Sequence, residues 1–213
     1  MLAVSAPLFC GVLLCAGASP VATATSLGTR SVPELTRSVP ELKRSLLADV
    51  QEQGPYRLTP ERRALLNTIR YAEGTWTDGE NMGYRILYGG SQFHDLSRHP
   101  QKVVVNRYSS AAAGAYQFLP ATWNGLAEEL TLHSFEPRYQ DQAALHLVKL
   151  RGALGEIDSR GLTRTAMARL APEWASFPTR SGRSAYGQPV KSHRELVRFY
   201  EDNLKQLKDQ LGA

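Results

Sequence analysis

Cysteine is nearly missing from this chain: Cys10 and Cys15 are the only two, both within a short apolar segment near the start. From residue 16 onward there is none, which excludes a thiol nucleophile and a disulfide framework there. Long apolar runs are missing too. The stretch from Leu8 to Gly17 is shorter than the about 20 residues of a membrane-crossing helix. The histidines at 94, 99, 133, 146 and 193 form no His-x-x-x-His pair or other metal-ligand spacing, so neither metal nor cofactor is expected. No Gly-x-Ser-x-Gly elbow and no phosphate-cradling glycine loop occurs. Basic residues never run longer than two, which argues against a nucleic-acid groove.

The 25 Lys and Arg exceed the 20 Asp and Glu, giving +5. A basic balance suits polyanionic partners such as an acidic membrane surface or an anionic wall, or serves solubility alone. The apolar fraction of 42% supplies a sizeable core, and 213 residues suggest one domain with an appendage.

The start of the chain reads as an export signal. Its apolar stretch is followed by small residues ending in Val21-Ala22-Thr23-Ala24, an Ala-x-Ala-like site with cleavage expected after Ala24. No Lys or Arg precedes the stretch, although such signals usually carry one. The expected destination is outside the cytoplasm. Next, Thr29-Arg-Ser-Val-Pro-Glu-Leu35 is repeated as Thr36-Arg-Ser-Val-Pro-Glu-Leu42. Pro33 and Pro40 interrupt any helix, and residues 25–58 read as a tether.

A folded domain is expected over 59–213. Thr59 is a natural cap, Pro60 suits the first helical position, and Leu65, Leu66, Ile69 and Ala72 recur at helical spacing until Gly74. The alternation Tyr84 to Tyr88, the Gly89-Gly90 turn signal and the β-branched run 103–105 predict a small β element. Helical signals resume over 120–130, 137–151, 163–175 and 192–211. Helices around a small sheet define an α+β class. Trp123 and Trp174 sit on apolar helix faces and read as core.

Glu73 shares the helical stripe of Leu66 and Ile69 and sits in the last turn before Gly74. Burial and the negative helix end both favour its protonated form, as a catalytic acid requires. Spacing alone also allows a Glu that turns to solvent or caps the next loop. Asp78 and Glu80, the nearest carboxylates in sequence, read as charges of a solvated loop. Sugar recognition needs aromatic faces and amides in a cleft, and two pairs supply them. Tyr116 and Gln117 precede the 120–130 helix. Tyr186 and Gln188 lie in a Gly- and Ser-rich loop able to close over a substrate.

The run Asn67-Thr-Ile-Arg-Tyr-Ala-Glu-Gly-Thr75 is followed in order by Gly83-Tyr84, Gly89-Gly90, Phe93 and His99-Pro100. Then come Ala113-Gly-Ala-Tyr-Gln-Phe-Leu119, Gln140-Asp141, Arg151-Gly-Ala-Leu154, Trp174-Ala-Ser-Phe-Pro178 and Tyr186-Gly-Gln188. Together these resemble the lambdoid-phage endolysin family, lysozyme-like peptidoglycan lytic transglycosylases, over about residues 60–205. The resemblance implies a lysozyme-like, mostly helical fold with a small sheet. It places Glu73 at the family's single catalytic glutamate and the Tyr116–Gln117 pair beside it. It implies cleavage between N-acetylmuramic acid and N-acetylglucosamine with closure of an anhydro ring, and no second carboxylate. Peptidoglycan glycan strands are then the expected partner, with the enzyme acting as a monomer. A muramidase that hydrolyses the same bond is one alternative, and a non-catalytic wall-binding protein is another.

Overall fold

The computed structural model describes residues 54–77, 81–106 and 108–212. The expected signal, its cleavage site and both copies of the repeat lie outside them, as do Asp78 and Glu80. Among the described residues there are six α-helices: α1 (Pro60–Glu73), α2 (Pro120–Leu130), α3 (Pro137–Leu150), α4 (Leu154–Arg160), α5 (Arg164–Leu170) and α6 (His193–Gly212). None is long and apolar enough to cross a membrane.

Helix α1 begins and ends where the sequence directs. The Thr59 side chain accepts from the Arg62 backbone N–H, Pro60 fills the first turn, and Gly74 closes the helix at φ 74°. That left-handed cap position is open to a glycine and strained for other residues. Leu65, Leu66 and Ile69 are fully buried and join Leu145, Met167 and Phe177 in one core. Helix α6 packs antiparallel along α1. Its start reaches the end of α1 through Tyr71 stacked on Phe199 with ring centroids 4.2 Å apart, and its end reaches the start of α1 through Lys208 on Glu61 at 2.9 Å.

The β element is smaller than the sequence suggests. Strands β1 (Val104–Val105) and β2 (Ser109–Ser110) form one antiparallel pair. Tyr84 to Tyr88 is not a strand: Asn81–Arg85 is a 3-10 helix, and Ile86 and Leu87 make only isolated bridges, to Gln92 and Ala113. Its buried residues are Tyr84 and Leu87, three apart, matching a 3-10 period rather than a strand's two. Two helical expectations change as well. The span 163–175 is helical only to Leu170, and Pro172 follows at once. Helix α4 has seven residues, too few for periodicity to reveal.

Residues 54–58, read as the end of a tether, lie against α3. The Tyr56 backbone exchanges two hydrogen bonds with the Gln142 side chain, and its hydroxyl meets His146 Nδ1 at 2.6 Å.

Candidate active site

Glu73 is the last residue of α1, half-buried, and three hydrogen bonds draw two distant segments around it. Ser176 Oγ donates to Glu73 Oε1 at 2.5 Å. Thr75 Oγ1, just beyond Gly74, donates to the Ala115 carbonyl at 2.6 Å. Trp174 Nε1 donates to the Tyr116 carbonyl at 3.2 Å, joining those two segments to each other. The end of α1, the 113–118 turn and the 172–178 turn thus form a closed ring of contacts.

Two effects act on the Glu73 carboxyl. Burial raises its pKa above the ordinary carboxylate value, because a buried charge loses hydration. The Ser176 hydroxyl pulls the other way, since it bonds best to the ionised oxygen, but burial prevails. No ionised group among the described residues adds to either effect. The other buried or half-buried acids near the site are taken up elsewhere. Asp141 holds Arg63 at 2.7 Å and accepts from the hydroxyls of Tyr84 and Tyr116, and Glu173 accepts from Arg151.

The 113–118 turn is set by a glycine and a buried amide. Gly114 adopts φ 81°, and a Cβ there would stand 2.2 Å from Gln140 Oε1. That oxygen accepts from the Ala115 N–H, while the Gln140 amide nitrogen donates to the carbonyls of Tyr84 and Phe135. The turn sets Tyr116 and Gln117 differently from expectation. The Tyr116 ring is 1% exposed with its hydroxyl on Asp141, so it offers no face to a sugar. Gln117 sits at φ 50°, its amide nitrogen donates to the carbonyls of Gly114 and Ile86, and the residue lines a recess. Trp123 and Trp174 are core residues as expected, although Trp174 lies in the turn after α5 rather than on a helix.

Tyr186 and Gln188 line a cleft of about 560 Å³ together with Tyr88, Tyr108 and Ser110. One wall is the β1–β2 hairpin and the other is the 186–189 loop. The loop is fastened rather than free: the Tyr186 hydroxyl donates to the Pro172 carbonyl at 2.7 Å, and Ser184 Oγ donates to that of Ala175. Tyr186 also borders a second recess of about 400 Å³ with Gln117, Arg151 and Trp174. The structure therefore gathers Tyr186 with Gln188, and Gln117 with Tyr186, but withdraws the Tyr116 ring into the core. Sequence reasoning missed Ser176, Tyr88 and Tyr108. Ser176 lies inside the quoted 174–178 run, but a lone serine in a turn announces no partner. No group of three or more His, Cys, Asp or Glu among the described residues could hold a metal ion.

Helices around a two-stranded sheet, with a half-buried glutamate ending the first helix and bonded to Ser176, define a lysozyme-like enzyme. A family model described as Endolysin matches residues 63–207, and the chain belongs to that family. It is 39% identical over 147 residues to the endolysin of Escherichia phage lambda, covering 67% of this chain and 90% of that one. The endolysin of Escherichia phage P2 is 34% identical over 148 residues, 63% of this chain and 87% of its own. Among solved structures, bacteriophage lambda lysozyme complexed with a chitohexasaccharide matches at TM-score 0.63 and 34% identity, covering 70% of this chain and 97% of that one. A second structure, lysozyme from bacteriophage lambda, matches at 0.58 and 32%, covering 73% and 96%.

Proposed function

We propose that this chain is a peptidoglycan lytic transglycosylase, exported by its N-terminal segment, with Glu73 as acid and then base. Protonated Glu73 gives its proton to the oxygen joining N-acetylmuramic acid to N-acetylglucosamine as the bond to the muramic C1 breaks. The glutamate, now ionised, takes the proton of the muramic 6-hydroxyl while that oxygen bonds to C1. The products are a free 4-hydroxyl and a 1,6-anhydro ring, and no water is consumed. Ser176 serves the second half by bonding to the carboxylate formed in the first.

The observation that carries this reading is the Glu73 carboxyl itself. It is raised by burial, it is met by a hydroxyl, and no ionised group among the described residues contributes to its shift. Hydrolases of this kind set two carboxyls about 5–10 Å apart, as nucleophile or as base for water. The runner-up is a muramidase hydrolysing the same bond, for which Asp78 and Glu80 are the carboxylates nearest Glu73 in sequence. The cleft beside Tyr186 and Gln188 supplies ring faces and an amide for N-acetylated sugars, and a neighbouring structure with a chitohexasaccharide agrees with a glycan occupant. Glu73→Gln tests the proposal: it should no longer clear a suspension of purified peptidoglycan, and undiminished clearing would contradict it.

A further inference from the structure

A groove of about 500 Å³ runs along α1, between that helix, the last turns of α6 and the start of α3. Glu73 is not among its walls. Five side-chain amides line it: Asn67 of α1, Asn81 of the 3-10 helix, and Asn203, Gln206 and Gln210 of α6. An amide offers donors and an acceptor together, the complement of a peptide unit. Asn67 is 5% exposed and donates to Asn203 at 2.8 Å, so part of this amide row is already fixed in place. Arg63, Arg70 and Arg138 also line the groove; Arg70 is buried, Arg63 pairs with Asp141 at 2.7 Å and Arg138 with Glu136 at 3.2 Å.

Of the groove's aromatic rings, Tyr84 is buried and Trp76 is half-buried. The Arg70 guanidinium lies over Trp76 at 4.9 Å and over Tyr84 at 4.7 Å, and Phe199 abuts Trp76 edge-on at 5.7 Å. Tyr84 is buried and Arg70 lies over Trp76, so the walls offer chiefly amides and guanidiniums, which suit an extended peptide with carboxylates. We propose that this groove binds the short acidic peptide branches borne by the glycan strand, holding the strand in place for Glu73. The proposal rests on peptidoglycan being the substrate.

The dimensions agree. Trp76 lines the groove only three residues beyond Glu73, at most about 11 Å along the chain. From Arg70 back to Arg63 the groove follows α1 for about 10 Å. A branch of about four or five extended residues spans about 13–18 Å, enough to enter beside Trp76 and follow the helix. Its carboxylates would then lie among the guanidiniums of Arg63 and Arg138.

Gln206 and Gln210 are exposed, so Gln206→Glu/Gln210→Glu sets two charges against an acidic branch without disturbing the core. Kinetics are compared on whole peptidoglycan and on the same strands stripped of peptide by an amidase. The double variant should raise KM on the peptide-bearing strands about fivefold to tenfold, the scale of one or two lost hydrogen bonds, and leave KM on stripped strands unaltered. Gln206→Ala/Gln210→Ala should move it the same way by less. Equal shifts on both substrates, or none on either, would overturn the proposal. In parallel, the amidase-released peptides are titrated into the full-length protein and followed by tryptophan fluorescence. Saturable binding, weakened in the double Glu variant, is expected; its absence overturns the groove assignment. This arm needs no cleavage, so a chain that binds peptide without cutting glycan sinks the proposed reaction and not the groove.

Discussion

The Ser176 hydroxyl donates to Glu73 Oε1 at 2.5 Å across 103 positions of sequence. Among the described residues it is the one polar contact that works against burial at this carboxyl. Ser176→Ala should raise the Glu73 pKa further, because it removes the hydroxyl that favours the ionised oxygen. An acid acts only while protonated, so activity falls as pH rises through this pKa. The alkaline limb of the pH–rate profile should therefore move to higher pH in the variant. An unmoved limb would mean that Ser176 does not act on Glu73.

Glu73→Gln should cost activity by a factor of about 10²–10⁴ and yet not cost stability. The folded protein holds the Glu73 proton more tightly than the unfolded chain does. Wild-type stability therefore declines as pH rises from the unfolded to the folded pKa, and the penalty is complete above the folded value. The variant lacks that penalty. Its Tm should equal or exceed the wild type's at neutral pH, and any advantage should vanish below the ordinary carboxylate range. Thermal melts at several pH values decide this.

Asp141 is buried with Arg63 at 2.7 Å and accepts the Tyr84 and Tyr116 hydroxyls. Asp141→Ala leaves the guanidinium and two hydroxyls without that partner, an expected loss of about 3–5 kcal/mol in denaturant unfolding. A loss below about 1 kcal/mol would show that the network relaxes around the gap.

Gly114→Ala forces a Cβ to 2.2 Å from Gln140 Oε1 and 2.8 Å from Phe135 at a left-handed φ. Overpacking and strain together should destabilise the fold by about 2–4 kcal/mol. The same shift moves the turn carrying Gln117, so kcat should fall in whatever fraction still folds.

Tyr186→Ala removes an aromatic wall shared by the cleft and the adjoining recess. Losing about 1.4 kcal/mol of ring contact is tenfold in KM for glycan. A fall in kcat alone would instead assign the residue to holding the 172–176 turn through its bond to Pro172.

Local signals are legible in the sequence when one element contains them whole. Thr59, Pro60 and Gly74 delimit α1 by backbone chemistry, and the apolar stripe beside Glu73 is visible by periodicity. What depends on remote partners is not. Tyr84 to Tyr88 reads as alternation, but the close approach of Gly83 to the Thr75 carbonyl accompanies a 3-10 turn instead. Tyr116 has the composition of a sugar platform, and only the position of Asp141, 25 residues on, shows its ring turned inward. Ser176 reaches Glu73 through the same kind of long-range closure. Helical spacing made Glu73 a plausible perturbed acid; the packed 172–178 turn supplies the hydroxyl that shares its oxygen.

The claim that Glu73 cleaves glycan without water is tested most directly by digesting purified peptidoglycan in heavy-oxygen water and weighing the products. The account predicts fragments one water lighter than hydrolysis products, ending in anhydromuramic acid and carrying no label. Reducing ends bearing the heavy oxygen would contradict it.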